Sequence, residues 1–218
     1  MITTDNPRER LLEAAGEIFA EKGFKGATVR EIIDRAGANI AAVNYYFRDK
    51  ERLYIEAVKH GACVEADEHL SWPAGTPPAL KLADFIRFHV VRLLDPNKPA
   101  WHARLIMREL TQPSAACTEL VRDYIEPKSR ILGGILEELL PPGTPRRQRF
   151  LTAFSIMGQI LFYCTHKPIV LLLLGDKDQP YADTAALADH ITRFTLRALG
   201  IAEHGGRRGT ARSRGVAP

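Results

Sequence analysis

The chain has 218 residues, 45% hydrophobic and 26% charged, enough for one large domain or two small ones around a packed core. Its three cysteines, Cys63, Cys117 and Cys164, lie far apart with no CxxC pair, which argues against a disulfide framework or a zinc finger and fits a reducing cytoplasm. The net charge of +4 equals the four arginines of residues 205–218, Arg207, Arg208, Arg212 and Arg214, so residues 1–204 are neutral overall and bulk charge makes no case for nucleic-acid binding.

Taken in order, Asp5 or Asn6 offers a helix cap and Pro7 a first helical position where a missing amide costs nothing. The polar start of the chain lacks the pattern of a signal peptide. Leu11, Leu12, Ala15, Ile18 and Phe19 recur at helical spacing up to Lys22 and Gly23. The stretch 28–50 then reads as two short helices and a tight turn. Thr28 is an N-cap, and Glu31 three residues on completes a capping box. Val29, Ile32 and Ile33 form one apolar face, and Gly37 supplies the positive φ that ends the helix. Asn39 caps a second helix over about 40–47, with Ile40, Val43 and Phe47 as its expected buried stripe. Any helical hairpin in a bundle shares this spacing. What points to a DNA-binding helix-turn-helix is the other face, where Asn39, Ala42, Asn44, Tyr45 and Tyr46 make a polar and aromatic surface on a helix too short to need one.

Each of these residues has a specific chemistry to offer DNA. Asn39 and Asn44 can bond adenine bidentately in the major groove. Tyr45 and Tyr46 can donate to phosphate or stack on sugar or a thymine methyl, with one of the two alternatively in the core. Thr28, the Val29 amide and Lys50 stand at helix N-termini, where phosphate is favoured, although Thr28 is equally a structural cap and Lys50 equally a solvated lysine. Arg30 lies on the polar side of the same turn, facing backbone or groove edge.

Asp49 caps a fourth helix expected to run to about residue 70, followed by a break at 71–78. From there the periodicity stays helical: 80–94, 100–110, then a long stretch 115–140 that Pro127 should kink or divide. After a second break at 141–145, helices follow over 146–165 and 183–199, with a short apolar helix or turn at 168–174 between them. The apolar run 160–174 is broken by His166, Lys167 and Pro168 and is shorter than a bilayer span, so it reads as a buried helix and no membrane is expected. Phe85, His89, Trp101, Arg104, Met107, Arg108, Phe162 and His166 are candidates for a ligand pocket between helices, or equally core. His60 and Cys63 are one turn apart but have no third ligand at metal-binding spacing, so no metal or cofactor is expected. No nucleophile elbow, phosphate loop or dinucleotide glycine pattern occurs. One recognition helix makes few base contacts, so a two-fold dimer is expected, with Phe154, Met157, Gly158, Leu161, Leu187, Ile191 and Phe194 as its apolar surface.

The pattern TVREIIDRAGANIAAVNYYFRDKERL over 28–53, with IFAEKGF before it at 18–24, resembles the N-terminal DNA-binding domain of TetR-family repressors. Asn44 and Tyr46 stand where that family more often has Tyr and His, so no base preference is carried over. The Val43-Asn44-Tyr45 variant and RELTQPS at 108–114 resemble the CecR-like subgroup. The resemblance implies an all-α fold with a three-helix DNA-binding domain at 1–50 and a helical effector-binding and dimerisation domain at 51–201, the last two long helices pairing with their symmetry mates. It also implies double-stranded operator DNA as partner and a foreign small molecule as effector that releases a repressor. The tail 202–218 is expected to be a disordered basic segment. An all-α enzyme and a non-specific architectural DNA-binding protein are the alternatives.

Overall fold

Asn6 enters the first helix as its cap: its Oδ1 accepts from the Arg8 amide at 3.0 Å, and Pro7 opens the first turn of α1 (Pro7–Gly26). The computed structural model describes residues 6–62, 70–175 and 179–201. α1 bends at Gly23, which takes a φ of 72° that a side chain would resist; a Cβ there would also lie 2.4 Å from the Arg108 guanidinium. α2 (Val29–Ala36), α3 (Ile40–Phe47) and α4 (Lys50–Gly61) pack against α1. Together they bury Leu11, Phe19, Ile32, Val43, Phe47 and Leu53.

One local expectation needs correction. Ile40 does not join the buried stripe of α3: it is 53% exposed while Val43 and Phe47 are at 1%. It is the first residue of α3, directly after the capping Asn39, and is not part of the core that Val43 and Phe47 join one and two turns on. The fourth helix is described as far as Gly61; the rest of its expected run to about residue 70 falls on the segment 63–69, which, with its Cys63 and with the tail 202–218, lies outside the described residues.

α5 (Pro78–Leu93) begins the C-terminal part. α6 (Ala100–Thr111) and α7 (Ala115–Leu120) follow, and their Trp101, Leu105, Ala116 and Leu120 are buried with the helix-turn-helix core. Residues Val121–Ile125 form a π-helical turn before α8 (Glu126–Leu139). Pro127 does not cut the stretch in two: Leu120, Val121, Ile125 and Glu126 all keep right-handed helical backbone angles, and the helix widens into the π turn ahead of the proline. It sits in the first turn of α8, and the wider π turn just before it is where a proline's missing amide and ring are accommodated. α9 (Arg146–Thr165), α10 (Lys167–Leu174) and α11 (Thr184–Ala198) complete the order. A second core unites α5, α8, α9 and α11 through Leu82, Phe85, Ile86, Leu136, Ile160 and Ile191.

The run 160–174 is not a buried helix. It breaks at His166, α10 turns 74° from α9, and Leu172 and Leu173 are 87% and 78% exposed; only Val170 of α10 is buried. A helix apolar on every side cannot bury all its faces against one neighbour. No single helix among the described residues is long and apolar enough to cross a membrane.

Candidate DNA-recognition surface and its joint to the C-terminal helices

The helix-turn-helix is fixed by local hydrogen bonds. Thr28 Oγ1 accepts from the Glu31 amide at 3.2 Å, while the Glu31 carboxylate accepts from the Thr28 amide at 3.0 Å and the Thr28 hydroxyl at 2.9 Å. The Lys22 ammonium beside it, together with Thr28, holds the Glu31 carboxyl down to about 2. Gly37 closes α2 at φ 59° and ψ 39°, and the Ala38 amide returns to the Ile33 carbonyl at 2.9 Å. Asn39 commits its Oδ1 to the Ala42 amide at 2.9 Å, so its first role is to start α3. Ala42 and Val29 pack on the core from partly buried positions.

The outer face of α3 is open. Asn44 is exposed, Tyr45 is 81% exposed and Tyr46 37%, and the two rings meet edge to face at 4.9 Å, so neither tyrosine is core. Arg30 is exposed on α2. The Lys50 ammonium rests 4.6 Å from the centroid of the Phe24 ring, a cation–π contact at the rim of this face.

The turn from α3 to α4 is strained. Arg48 has φ 69° and ψ −50°, and the Asp49 amide donates to the Phe47 carbonyl at 2.8 Å, which makes a three-residue γ-turn unfavourable for any side chain but glycine's. Asp49 then caps α4 by accepting from the Arg52 amide at 2.8 Å. Arg48→Gly is expected to raise stability by about 1 kcal/mol, the strain relieved outweighing the entropy of a freer unfolded chain. Urea denaturation checks this, and a lower midpoint contradicts it.

Behind this surface, α6 is wedged against α1 and α4. Trp101 is 2% exposed, its ring 2.3 Å from where a Cβ on Gly16 would lie and 3.1 Å from one on Gly61. Its Nε1 donates to Glu13 Oε2 at 3.0 Å, and Glu13 Oε1 lies 3.1 Å from His60 Nε2. The His60 hydrogen bond holds the Glu13 carboxyl below its usual range. His102 packs on the Trp101 ring at 4.1 Å and near His60 at 6.0 Å. Burial pushes the His102 imidazole down to about 4, against the pull of the Glu13 charge, so it is neutral at pH 7. Further along α6, the Tyr54 hydroxyl donates to the buried Glu109 carboxylate, which also accepts from the Ser114 amide at 3.1 Å and hydroxyl at 2.9 Å. Arg52 pairs with Glu119 at 2.7 Å and Lys59 with Asp123 at 2.9 Å. α4 is thereby tied to α6, α7 and the π turn by charge as well as packing.

The expected pocket residues do not share one place. Phe85 and His89 are buried in the second core, their rings 4.1 Å apart. Trp101 and Arg108 belong to the joint, Arg104 is exposed, and Met107 is partly buried on α6. An open cleft of about 330 Å³ lies between α9 and α11, lined by Gly158, Gln159, Phe162, Tyr163, His190 and Ile191. His166 stacks on Phe162 at 4.7 Å, close to that cleft. Of the residues expected at a dimer surface, Phe154 and Phe194 are 64% and 58% exposed and Gly158 is exposed; Met157 and Leu161 are partly buried; Leu187 and Ile191 are buried within the subunit. Glu13 and Glu109 carried no mark in the sequence, because Trp101 and His60 lie tens of residues from the first and Tyr54 tens of residues from the second.

Residues 11–57 match the family described as bacterial regulatory proteins, tetR family, and residues 78–199 match the C-terminal domain of the HTH-type transcriptional dual regulator CecR. The chain is 27% identical over 185 residues to the CecR protein of Shigella flexneri, covering 80% of this chain and 82% of that one. It is 29% identical over 139 residues to the probable HTH-type transcriptional regulator YttP of Bacillus subtilis, covering 60% and 63%. Among solved structures, the transcriptional regulator FadR from Bacillus subtilis in complex with stearoyl-CoA shares the fold, with a TM-score of 0.60 at 22% identity over 86% of this chain and 97% of that one.

Proposed function

The chain belongs to the TetR family of bacterial regulatory proteins, with a CecR-type C-terminal domain, and on that premise we propose that it acts in the cytoplasm as a homodimeric repressor, reading a palindromic operator with α3 and releasing it when a small molecule binds the C-terminal helices. It is a DNA-binding transcriptional regulator. The observation that carries the reading is the outer face of α3: Asn44, Tyr45 and Tyr46 are all exposed on a helix whose other side is anchored by Val43 and Phe47. In this reading Asn44 bonds a base edge and Ile40 packs on a thymine methyl. Tyr45, Lys50, Arg30 and the Thr28–Val29 helix start hold phosphates, with Asn39 and Ala42 shaping the turn that lets α3 enter the groove.

Release by an effector is supported by the joint. Trp101, Arg108 and Glu109 of α6 touch α1 and α4 directly, so a shift of α6 moves the frame that carries α3. The cleft beside Phe162 and His190 is the proposed mouth of the effector site. The DNA assignment is tested base by base. Lys50→Ala or Tyr45→Ala is expected to weaken binding to every sequence and lower the salt slope, since phosphate contacts carry no sequence information. Asn44→Ala is expected to relax preference at one base-pair position by about 1–3 kcal/mol. An unchanged binding profile for Asn44→Ala removes that residue from readout.

A further inference from the structure

We propose that Glu13, His60 and His102 form a binding site for a divalent transition-metal ion of the zinc class, pinning α6 to α1 and α4. Three helices contribute one donor each, and the three ligand atoms lie within 4.8 Å of one another. Two imidazoles and a carboxylate are the borderline donor set that suits zinc and its neighbours. Metal bonds of about 2.0–2.2 Å place ligand atoms roughly 3.4 Å apart in a tetrahedral site, so closing the set takes on the order of 1 Å of side-chain movement by His102. Glu13 and His60 already stand at 3.1 Å.

The plain alternative is an ion pair between Glu13 and His60 with His102 as packing. It leaves His102 unexplained. Both ring nitrogens of His102 are buried without a protein hydrogen-bond partner, although the ring sits against two groups able to share an ion with it. A buried polar atom left without a partner is costly, and a metal ion would satisfy one of the two nitrogens. The supporting shell is present too. Trp101 Nε1 holds the other oxygen of Glu13 at 3.0 Å, the kind of outer hydrogen bond that orients a ligating carboxylate. His102 is neutral at pH 7 and Glu13 ionised, the forms that ligate. Glu13 lies in the N-terminal matched region and His102 in the C-terminal one, so a bound ion would cross-link the DNA-binding helices to the effector-side helices.

The test uses the full chain, cleared of metal with a chelator, and Zn²⁺ alone. Calorimetric titration is expected to give one Zn²⁺ per chain, and Zn²⁺ is expected to raise the melting temperature by mass action. His102→Gln and Glu13→Gln are each expected to weaken Zn²⁺ binding at least tenfold while helicity stays unchanged. No saturable Zn²⁺ binding by the unmodified chain, or equal binding by both variants, overturns the site. Should a variant lose helicity, Co²⁺ absorption of the unmodified chain decides: intense visible bands of four- or five-coordinate cobalt, displaced by Zn²⁺, support the site, and a weak spectrum like that of hydrated cobalt overturns it.

Discussion

Trp101→Ala is expected to destabilise the protein by about 3–5 kcal/mol, the range for removing a fully buried large aromatic side chain. The indole is 2% exposed and fills a slot whose walls are Gly16 of α1, where a Cβ would collide with it at 2.3 Å, and Gly61 of α4, where a Cβ would be a tight contact at 3.1 Å. Nothing small can follow it into that slot, so alanine leaves a cavity at the seam between the DNA-binding helices and α6. It also strips Glu13 of its indole donor. Trp101→Phe keeps most of the packing and loses chiefly the hydrogen bond, so its expected cost is only about 1–2 kcal/mol. Urea denaturation followed by circular dichroism measures both. A loss under about 1 kcal/mol for Trp101→Ala shows that the seam closes without the indole. Gly16→Ala tests the same slot from the other wall, where the new methyl would meet the Trp101 ring at 2.3 Å, too close for any ordinary contact.

The second large effect concerns assembly. Phe154 and Phe194 are more than half exposed on α9 and α11, and Gly158, one turn on from Phe154, is exposed too. In the proposed dimer this apolar face meets its symmetry mate, and Phe194→Glu buries a carboxylate there without a partner. The expected result is a folded monomer, with dimer affinity lower by at least 100-fold, or about 2.7 kcal/mol, and operator binding lost with it because one α3 reads only a half-site. Sedimentation measures the association, and circular dichroism confirms that helicity is kept. A Phe194→Glu protein that stays dimeric with its helicity intact moves the interface off α11.

Much of the N-terminal architecture was legible because its determinants are local. Thr28 with Glu31, Asn39 and Asp49 each cap a helix within three residues of themselves, and Gly37 ends α2 by its own backbone freedom. Pro127 marked, by the same local logic, the place in 115–140 just before which the helix widens into a π turn. Reading failed where the outcome depends on what a residue meets in space. Ile40 has the spacing of a core residue but is 53% exposed at the first position of α3, and the leucines of α10 have the composition of a core helix but are largely exposed. His60 looked for a partner one turn ahead, at Cys63, while the described partner, Glu13, is 47 residues away. The Trp101–Glu13 bond spans 88 residues. Periodicity places such side chains on a face but cannot say which face they will touch.

The most direct test of the central claim is selection of binding sites by the full chain from a pool of random double-stranded DNA, at near-physiological salt. A homodimer reading the major groove with α3 is expected to enrich one palindromic sequence, its half-site centres separated by about one helical turn or a multiple of it. Bound fragments with no shared sequence would contradict that reading and leave a non-specific DNA-binding protein. Failure to retain DNA at all, even at low salt, would contradict the DNA-binding assignment itself.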